Sequence, residues 1–493
     1  MLSLVPLLGA CEPAKVAAPT GGMSDTAIGG EPDTGEPETG NPDSGPPETG
    51  NPDPIDTGPL DTANPWDPDT LAGAGWLRGR AIGAALSTTA FAKDEAYLSL
   101  FSENFSSLTP ENATKWGLLQ SESSTWDFSD AEGMVELAVN QGMAVRGHTL
   151  AWHNQLPDWI DDDSMAETFA LSVQAHVESV AAWDDGRIET WDVVNEALED
   201  DGSLRDSIWS QDLGSEWVAD MFVLAHEQLP HAALFYNDYS IAWLNTKSDA
   251  VYAMVEQMLA DGVPIDGVGM QVHVSAGSAP EPEDLAENIR RFGDLGLEVH
   301  ITEMDVQMRD IAGVDDARLF AQARTYHRVV SACLEEPACT SISFWGFTDR
   351  YSWIDDHYGA DDPLLWDEDL QPKPAHHAVM AALRGEPLPG CGEEFITNGD
   401  FEKGTDGWTS SWGNTIEATD RYETWQGVVQ DITHLVAEGI PYEASAWVRL
   451  DGADSDDVSL TMSIVDETET TWPHIMDTTA YSSGWTELSG TVT

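Results

Sequence analysis

Eight short apolar runs alternate with helical patterns through the middle of the chain, and this alternation limits the folds open to it. The runs span about 265 residues, and each has the length of a buried strand. The helical segment 249–261 stops at Gly262, and the segment 130–141 stops at Gly142. Strand–helix alternation predicts a parallel sheet, and eight strands favour a closed (β/α)8 barrel over an open sheet. The predicted strands are 81–85, 106–109, 144–149, 190–195, 233–237, 267–272, 298–303 and 341–345.

Two of the eight runs end on a glutamate, which is an uncommon end for an apolar strand. The fourth run, IETWDVVNEAL, delivers Asn195 and Glu196, and the seventh, EVHITEMD, delivers Glu303. The carboxyl ends of barrel strands form the rim that carries chemistry, so we expect both glutamates there. A single acid at a strand end is more often a helix cap or a salt-bridge partner. A pair is the minimum requirement for cleaving a glycosidic bond.

The ends of the other runs combine hydrogen-bonding side chains with aromatic rings. A sugar needs both, because it has a ring of hydroxyls and an apolar C–H face. The chain has 20 Trp, and part of them are ordinary core residues. The pattern predicts a carbohydrate site on the rim.

Four segments resemble the signatures of glycoside hydrolase family 10, the retaining endo-β-1,4-xylanases. They read GHTLAWHNQLPDW, WDVVNEAL, ITEMDV and FWGFTDRYSW, and the resemblance covers about residues 77–383. It implies a TIM barrel that cuts the xylan backbone internally, with Glu196 as acid/base and Glu303 as nucleophile. Tyr239 is implied on the leaving-group side. The implied contacts on the glycone side are Glu111, Asn112, Lys115, His148, Trp152, Asn195, Gln271, His273, Trp345 and Trp353.

This chain departs from the family pattern at two positions beside the site. Thr114 stands where the family usually has Met, and Ser240 stands where it usually has Asn. Neither residue touches the expected chemistry, and both bear on the fine preference of the sugar subsites.

The mechanism can also be argued from the two carboxyls alone. Glu303 must be ionised to attack the anomeric carbon, and Glu196 must be protonated to assist the leaving oxygen. Two carboxyls about 5 Å apart hold one proton between them, and esterification of Glu303 then lowers the pKa of Glu196. Asn195 is expected to hold the sugar 2-hydroxyl. His273 with Asp305 is expected to orient Glu303, the alternative for His273 being a satisfied core histidine.

Two rival functions stay open at this point. One is a retaining endo-β-1,4-glucanase of the same fold, and the other is a non-catalytic glycan-binding surface protein. Trp345 and Trp353 favour xylose over glucose, because bulky rings above the sugar clash with a hydroxymethyl group. No metal or organic cofactor is required for this chemistry. Asp238 and Asp349 are expected to be structural residues of the rim.

The first 66 residues predict export and a tether. Residues 1–11 end in LGAC and resemble a bacterial lipoprotein signal, in which Cys11 is lipidated. Residues 12–66 are rich in Pro, Gly and acids, and such a segment cannot bury enough apolar area to fold. We expect a disordered linker and an extracellular or cell-surface bacterial lipoprotein that is monomeric.

The charge of the chain limits its partners. Lys and Arg number 21 against 88 Asp and Glu, for a formal net charge of −67. Such a surface repels nucleic acid, and it suits a protein that acts on neutral polymers such as xylan. It also indicates a saline habitat, where salt screens self-repulsion.

The chain has four cysteines, and two of them are close in sequence. Cys333 and Cys339 flank the entry to the eighth strand, and in an exported protein a local disulfide is expected. Cys391 then lacks a partner if Cys11 is lipidated, and the sequence gives no account of it.

The predicted catalytic region spans residues 71–385, and the sequence after it predicts a second unit. Residues 386–394 read as a linker, and 395–493 alternate short β runs with Gly and Asp clusters, which predicts an all-β sandwich of jelly-roll type. FITNGDFEKGTDGW and RYETWQGVVQDIT resemble family 22 carbohydrate-binding modules. The resemblance implies ligand contacts at Arg421 and Trp425, the alternative for Trp425 being a core residue. The segment is shorter than such modules, so we expect it to be incomplete.

Overall fold

The catalytic region is a closed barrel of eight parallel strands. The computed structural model describes residues 64–160, 166–309, 311 and 315–388, and the backbone of short strands at 2–6 and between 409 and 492. The barrel strands, labelled β1 to β8 in chain order, are Ala81–Leu86, Ser107–Pro110, Ala144–Ala151, Thr190–Asn195, Ala233–Asp238, Gly267–Met270, Glu298–Gln307 and Cys339–Phe344.

Each barrel strand pairs in parallel with the next, and β8 pairs with both β7 and β1. This double pairing closes the sheet and confirms the predicted (β/α)8 barrel.

Helices follow the strands and cover the outside of the barrel. The predicted helix at 249–261 is observed as Thr246–Ala260, where Asn245 caps the first turn through the Ser248 amide. The predicted helix at 130–141 is observed as Ser129–Gln141 and ends at Gly142 in the left-handed conformation. The other helices are Leu71–Leu77, Thr88–Phe91, Glu95–Asn104, Trp116–Leu119, Ala166–Asp184, Ile208–Leu213, Trp217–Gln228, Pro282–Asp294, Asp315–Glu335, Trp353–Tyr358 and Pro374–Arg384, with a 3-10 turn at Asp349–Tyr351.

Two of the differences between observed and predicted strand ends affect the site. β6 stops at Met270 because Val272 has φ of 60°, and the chain then resumes as the short strand His273–Ser275. β7 extends beyond Glu303 to Gln307 because its last residues pair with that short strand. Glu303 therefore lies within a strand and not at its end.

The barrel interior is packed closely enough to exclude larger side chains beside the site. A Cβ at Gly147 would lie 2.4 Å from the ring of Trp191, which is fully buried. The close approach of β3 to β4 at this point fixes the position of His148, the next residue along β3.

The predicted disulfide between Cys333 and Cys339 is confirmed. Their Cα atoms are 5.3 Å apart, and the bond joins the end of helix Asp315–Glu335 to the start of β8. In the part of the chain that the structure describes, no helix has the length and apolar character needed to cross a membrane.

Beyond the barrel the described backbone is all β. The short β runs expected within 395–493 include observed strands at Val428–Val429, Tyr442–Val448, Ser455–Thr461 and Ile464–Val465. Tyr442–Val448 pairs antiparallel with Thr486–Val492 and with Leu2–Pro6. The remaining short strands are Thr409–Ser410, Thr470–Thr471 and His474–Tyr481.

Candidate active site

Glu196 follows directly after β4 and projects its carboxyl into a set of neutral hydrogen-bond donors. Its Oε1 accepts from Gln271 Nε2 at 2.9 Å and from Asn195 Nδ2 at 3.2 Å. Its Oε2 accepts from the indole Nε1 of Trp152 at 2.8 Å. These neutral donors restrain the orientation of the side chain.

Glu303 has a different environment, which includes a histidine. Its side chain is buried, and Oε2 lies 3.2 Å from His273 Nε2. The other ring nitrogen of His273 lies 2.8 Å from Asp305 Oδ2, which also accepts from Trp353 Nε1 at 2.9 Å. Asp305 is fully buried. Asp305, His273 and Glu303 thus form a continuous chain of hydrogen bonds.

The pKa values along these hydrogen bonds favour an ionised Glu303. Burial acts to lower the pKa of His273, but the charge and hydrogen bond of Asp305, with those of Glu303, raise it to about 10. Burial acts to raise the pKa of Glu303, but the hydrogen bond from His273 and the charges of His148 and His273 outweigh burial and lower it. A buried carboxylate beside a protonated histidine is prepared to act as a nucleophile.

Asn237 lies between the two glutamates, and sequence reasoning did not include it among the site residues. Its Nδ2 donates to Glu303 Oε1 at 2.7 Å and to Asn195 Oδ1 at 2.8 Å. Thr302 Oγ1 donates to Asn237 Oδ1 at 2.7 Å, which fixes the orientation of the amide. The sequence feature that could have identified Asn237 is its position at the end of the fifth predicted strand, directly before Asp238 and Tyr239.

His148 reaches the site from β3, supported by a buried ion pair that the sequence did not reveal. Its Nδ1 lies 2.9 Å from Asp192 Oδ2, and the same ring nitrogen lies 4.0 Å from Glu303 Oε1. Arg146 Nε donates to Asp192 at 3.0 Å, and a second guanidinium nitrogen also bonds this carboxyl. Burial acts to raise the pKa of Asp192, but Arg146 and His148 outweigh burial and lower it.

The expected glycone side forms around Lys115. Its Nζ donates to Asn112 at 2.8 Å and to Gln155 at 2.9 Å, and it lies 4.7 Å from the centre of the Trp152 ring. Burial lowers the pKa of Lys115 to about 8, against the opposing charges of nearby glutamates. Asn112 also donates to Glu111 at 3.1 Å. Donors, acceptors and a ring face are therefore gathered in one place.

Trp345 and Trp353 stand over the two histidines of the site. The ring of Trp345 lies edge-on to His148 at 5.1 Å between centres, and that of Trp353 lies edge-on to His273 at 5.1 Å. Trp345 is also within 5.8 Å of the Lys115 ammonium. Both rings therefore contact histidines that lie beside Glu303.

Tyr239 contacts two cationic side chains. Its hydroxyl accepts from Arg205 at 2.9 Å, and the Lys247 ammonium lies 3.2 Å from its ring centre. Lys247 is paired with the buried Asp238 at 2.8 Å. Burial raises the pKa of Asp238 to about 6, and Lys247 moderates the effect. Asp238 therefore supports the rim, as expected.

Several predicted residues lie away from this cluster or outside the described residues. Asp349 is a buried structural residue, paired with Lys373 at 2.8 Å. Cys11, Cys391, Arg421 and Trp425 lie outside the described residues. Within the described ranges, no group of three or more His, Cys, Asp or Glu side chains is arranged to hold a metal ion.

A (β/α)8 barrel with two carboxyls among donors, acceptors and rings is the architecture of a glycoside hydrolase. The profile of glycosyl hydrolase family 10 matches residues 74–382, and that of a carbohydrate binding domain matches residues 393–493. The chain belongs to glycosyl hydrolase family 10, as the sequence resemblance implied, and it is an endo-1,4-β-xylanase with a C-terminal carbohydrate-binding domain.

Individual relatives agree with this assignment. Endo-1,4-beta-xylanase B of Thermotoga neapolitana is 40% identical over 291 residues, which cover 59% of this chain and 84% of the relative. Endo-1,4-beta-xylanase 5 of Pyricularia oryzae is 36% identical over 306 residues, which cover 61% of this chain and 75% of the relative. The crystal structure of xylanase 10B from Thermotoga petrophila RKU-1 with xylobiose is 37% identical, with a TM-score of 0.62 over 64% of this chain and 97% of that chain.

Proposed function

We propose that the chain hydrolyses xylan by double displacement with Glu303 as nucleophile and Glu196 as acid/base. Glu303 attacks the anomeric carbon while Glu196 gives its proton to the departing oxygen. Glu196 then takes a proton from water, which attacks the same carbon and releases Glu303. The observation that carries the assignment is the difference in donors: His273 and Asp305 keep Glu303 ionised, whereas the hydrogen bonds to the carboxyl of Glu196 come from neutral side chains.

The other rim residues have roles in this proposal that follow from their positions. Asn195 holds the 2-hydroxyl of the sugar whose bond is cleaved, because its amide lies beside both Glu196 and Asn237. Lys115 and Trp152 bind the glycone, and Tyr239 stacks on the leaving sugar. The C-terminal carbohydrate-binding domain binds xylan and keeps the enzyme close to its substrate.

Azide with two variants tests the assignment. Glu196→Ala and Glu303→Ala should each lose most xylan cleavage, on the order of 10² to 10⁴-fold or more. In Glu196→Ala, azide replaces water at the glycosyl-enzyme and should give the β-azide. In Glu303→Ala, azide replaces the nucleophile and should give the α-azide. Reversed anomers would exchange the two roles, and near-normal turnover in either variant would contradict the proposal.

A substrate panel tests specificity against the endoglucanase alternative. Xylan should be cleaved in preference to cellulose and mixed-linkage glucan, and NMR should detect the β-anomer as the first product. Preference for glucan would indicate that Trp345 and Trp353 leave room for a hydroxymethyl group.

We further propose that the enzyme is exported, lipidated at Cys11 and monomeric on a bacterial cell surface. The LGAC sequence supports lipidation, and the Cys333–Cys339 disulfide fits an oxidising compartment. Expression in a bacterium with labelled palmitate should label the protein, and Cys11→Ser should abolish both the label and membrane association. Light scattering of the purified catalytic region should give the mass of one chain.

A further inference from the structure

The backbone at Glu196 has a conformation that side-chain-bearing residues avoid. Its φ is 59°, in the left-handed region. The polar groups on both sides of this residue are held by neighbours: its amide donates to Asn237 O at 2.9 Å, and the next amide, of Ala197, donates to the Tyr236 hydroxyl at 3.2 Å. Such a conformation persists only where surrounding contacts determine it.

Arg205 supplies the remaining contact, to the main-chain oxygen of Glu196. Its Nε donates to that oxygen at 2.9 Å. Its NH2 donates to Leu198 O at 3.1 Å and to the Tyr239 hydroxyl at 2.9 Å. The planar guanidinium reaches all three acceptors at once, which an ammonium on a flexible stem cannot do.

Arg205 is itself fixed by the loop that follows Glu196. The chain turns back after Leu198, which forms a bridge with Leu204, and Glu199 N donates to Ser203 O at 2.8 Å. The Arg205 amide donates to Ala197 O at 2.8 Å. The side chain is largely buried, and its NH1 pairs with Glu199 at 3.2 Å. Loop and guanidinium therefore form one unit around the residue that carries the carboxyl.

We propose that Arg205 is a positioning residue for proton donation by Glu196, and that the Tyr239 hydroxyl connects this restraint to the subsite of the leaving sugar. The inference rests on the proposed acid/base role of Glu196. A leaving sugar that contacts Tyr239 acts through Arg205 on the backbone that aims the carboxyl. Proton donation is thus best aligned when the leaving-group subsite is occupied.

The test compares two aryl β-xylobiosides in the full-length enzyme. A dinitrophenyl leaving group departs without a proton, whereas a methoxyphenyl group needs one. Arg205→Met should lower kcat/KM for methoxyphenyl xylobioside roughly tenfold, the size expected for one lost charge-assisted hydrogen bond. It should change kcat/KM for dinitrophenyl xylobioside by less than about twofold. Equal losses on both substrates would overturn the proposal, because a merely structural defect does not depend on the leaving group.

Arg291→Met is the matched control. Arg291 also makes several bonds, to Asn288, Ser248 and Asp249, but it joins helices Thr246–Ala260 and Pro282–Asp294 on the outside of the barrel. This variant should lower thermal stability with the same kcat/KM as wild type on both substrates. A leaving-group effect in Arg291→Met would mean that any lost arginine produces it, and would overturn the proposal.

Tyr239→Phe tests the coupling between the Tyr239 hydroxyl and Arg205. It also tests the proposal if Arg205→Met does not fold. The ring stays, but the acceptor for Arg205 is lost, so a smaller loss restricted to methoxyphenyl xylobioside is expected. The same substitution in Arg205→Met should add no further loss on that substrate. An equal effect of Tyr239→Phe on both substrates, or full additivity in the double variant, would contradict the coupling.

Glu196→Ala separates this inference from the proposed function. It should lose far more activity on methoxyphenyl than on dinitrophenyl xylobioside. If Glu196→Ala shows this difference and Arg205→Met does not, the positioning role fails and the acid/base role stands. If Glu196→Ala shows no difference, the acid/base role itself fails.

Discussion

Glu196 and Glu303 carry the same functional group, and their neighbours give them different properties. Glu303 receives a hydrogen bond from a histidine whose pKa is raised to about 10, mainly through Asp305 against the effect of burial. Glu196 receives its carboxyl hydrogen bonds from two amides and an indole. The proposed division of roles between the two glutamates thus follows from their hydrogen-bond partners.

Asp305→Asn should weaken this division. Without the Asp305 charge, the pKa of His273 falls, so the imidazole beside Glu303 loses its proton near neutral pH and the pKa of Glu303 rises. We expect kcat/KM on xylan to fall by about tenfold, with its acidic limb moved to higher pH. The measurement is the pH profile of kcat/KM. An unchanged acidic limb would mean that Asp305 has no influence on Glu303.

The same variant has a second readout in the pH dependence of stability. Because the pKa of His273 is raised in the folded state, its contribution to stability is complete below the unfolded pKa of about 6.5 and is lost as pH rises through about 10. Asp305→Asn should therefore flatten the loss of unfolding free energy over that window. A wild-type slope in the variant would contradict the raised pKa.

At the scale of elements, the barrel uses irregular strand ends to aim side chains. β6 stops at Met270, Val272 takes a positive φ, and His273 resumes in a short strand opposite Asp305. A regular β6 would alternate its side chains between the two faces of the sheet. Gln271 and His273 are two residues apart and would share one face of such a strand. With the break between them, Gln271 donates to Glu196 and His273 lies beside Glu303.

The disulfide is a second local device, since it joins helix Asp315–Glu335 to the strand that leads to Trp345. The double variant Cys333→Ala, Cys339→Ala should lower the unfolding free energy of the catalytic region by about 2 kcal/mol, because the closed loop is short. Thermal unfolding of wild type and variant, with and without reductant, measures this. Reductant should affect wild type only, and equal stability of the two proteins would show that the bond is energetically neutral.

At the scale of the whole molecule, the dominant property is the net charge of −67. The pairs Arg146–Asp192, Lys247–Asp238 and Lys373–Asp349 are buried, so they are little affected by salt. The excess acids repel one another, and this repulsion acts against the compact state.

Salt should therefore stabilise the enzyme. Raising NaCl from about 0.1 M to 1 M shortens the screening length from about 10 Å to 3 Å. We expect Tm to rise over this range and refolding to improve. KCl should act like NaCl, since the effect depends on ionic strength and not on a specific ion. A Tm that stayed constant or fell with salt would contradict the habitat argument drawn from composition.

The sequence by itself determined the barrel, the two glutamates and most of the rim. Strand and helix periodicity are local properties, and the motifs around Glu196 and Glu303 are contiguous, so both can be read along the chain. Sequence reasoning did not identify Asn237, Asp192 or Arg205 as parts of the site, and it ended β7 too early.

Only the tertiary structure decided how those residues act. Asn237 meets Glu303 across 66 positions, and Arg205 meets the Tyr239 hydroxyl across 34. Such contacts depend on strand register and barrel closure, which bring distant side chains together and leave no periodic trace in the sequence. The chain therefore specifies its reacting groups locally, whereas their orientation and protonation are properties of the closed barrel.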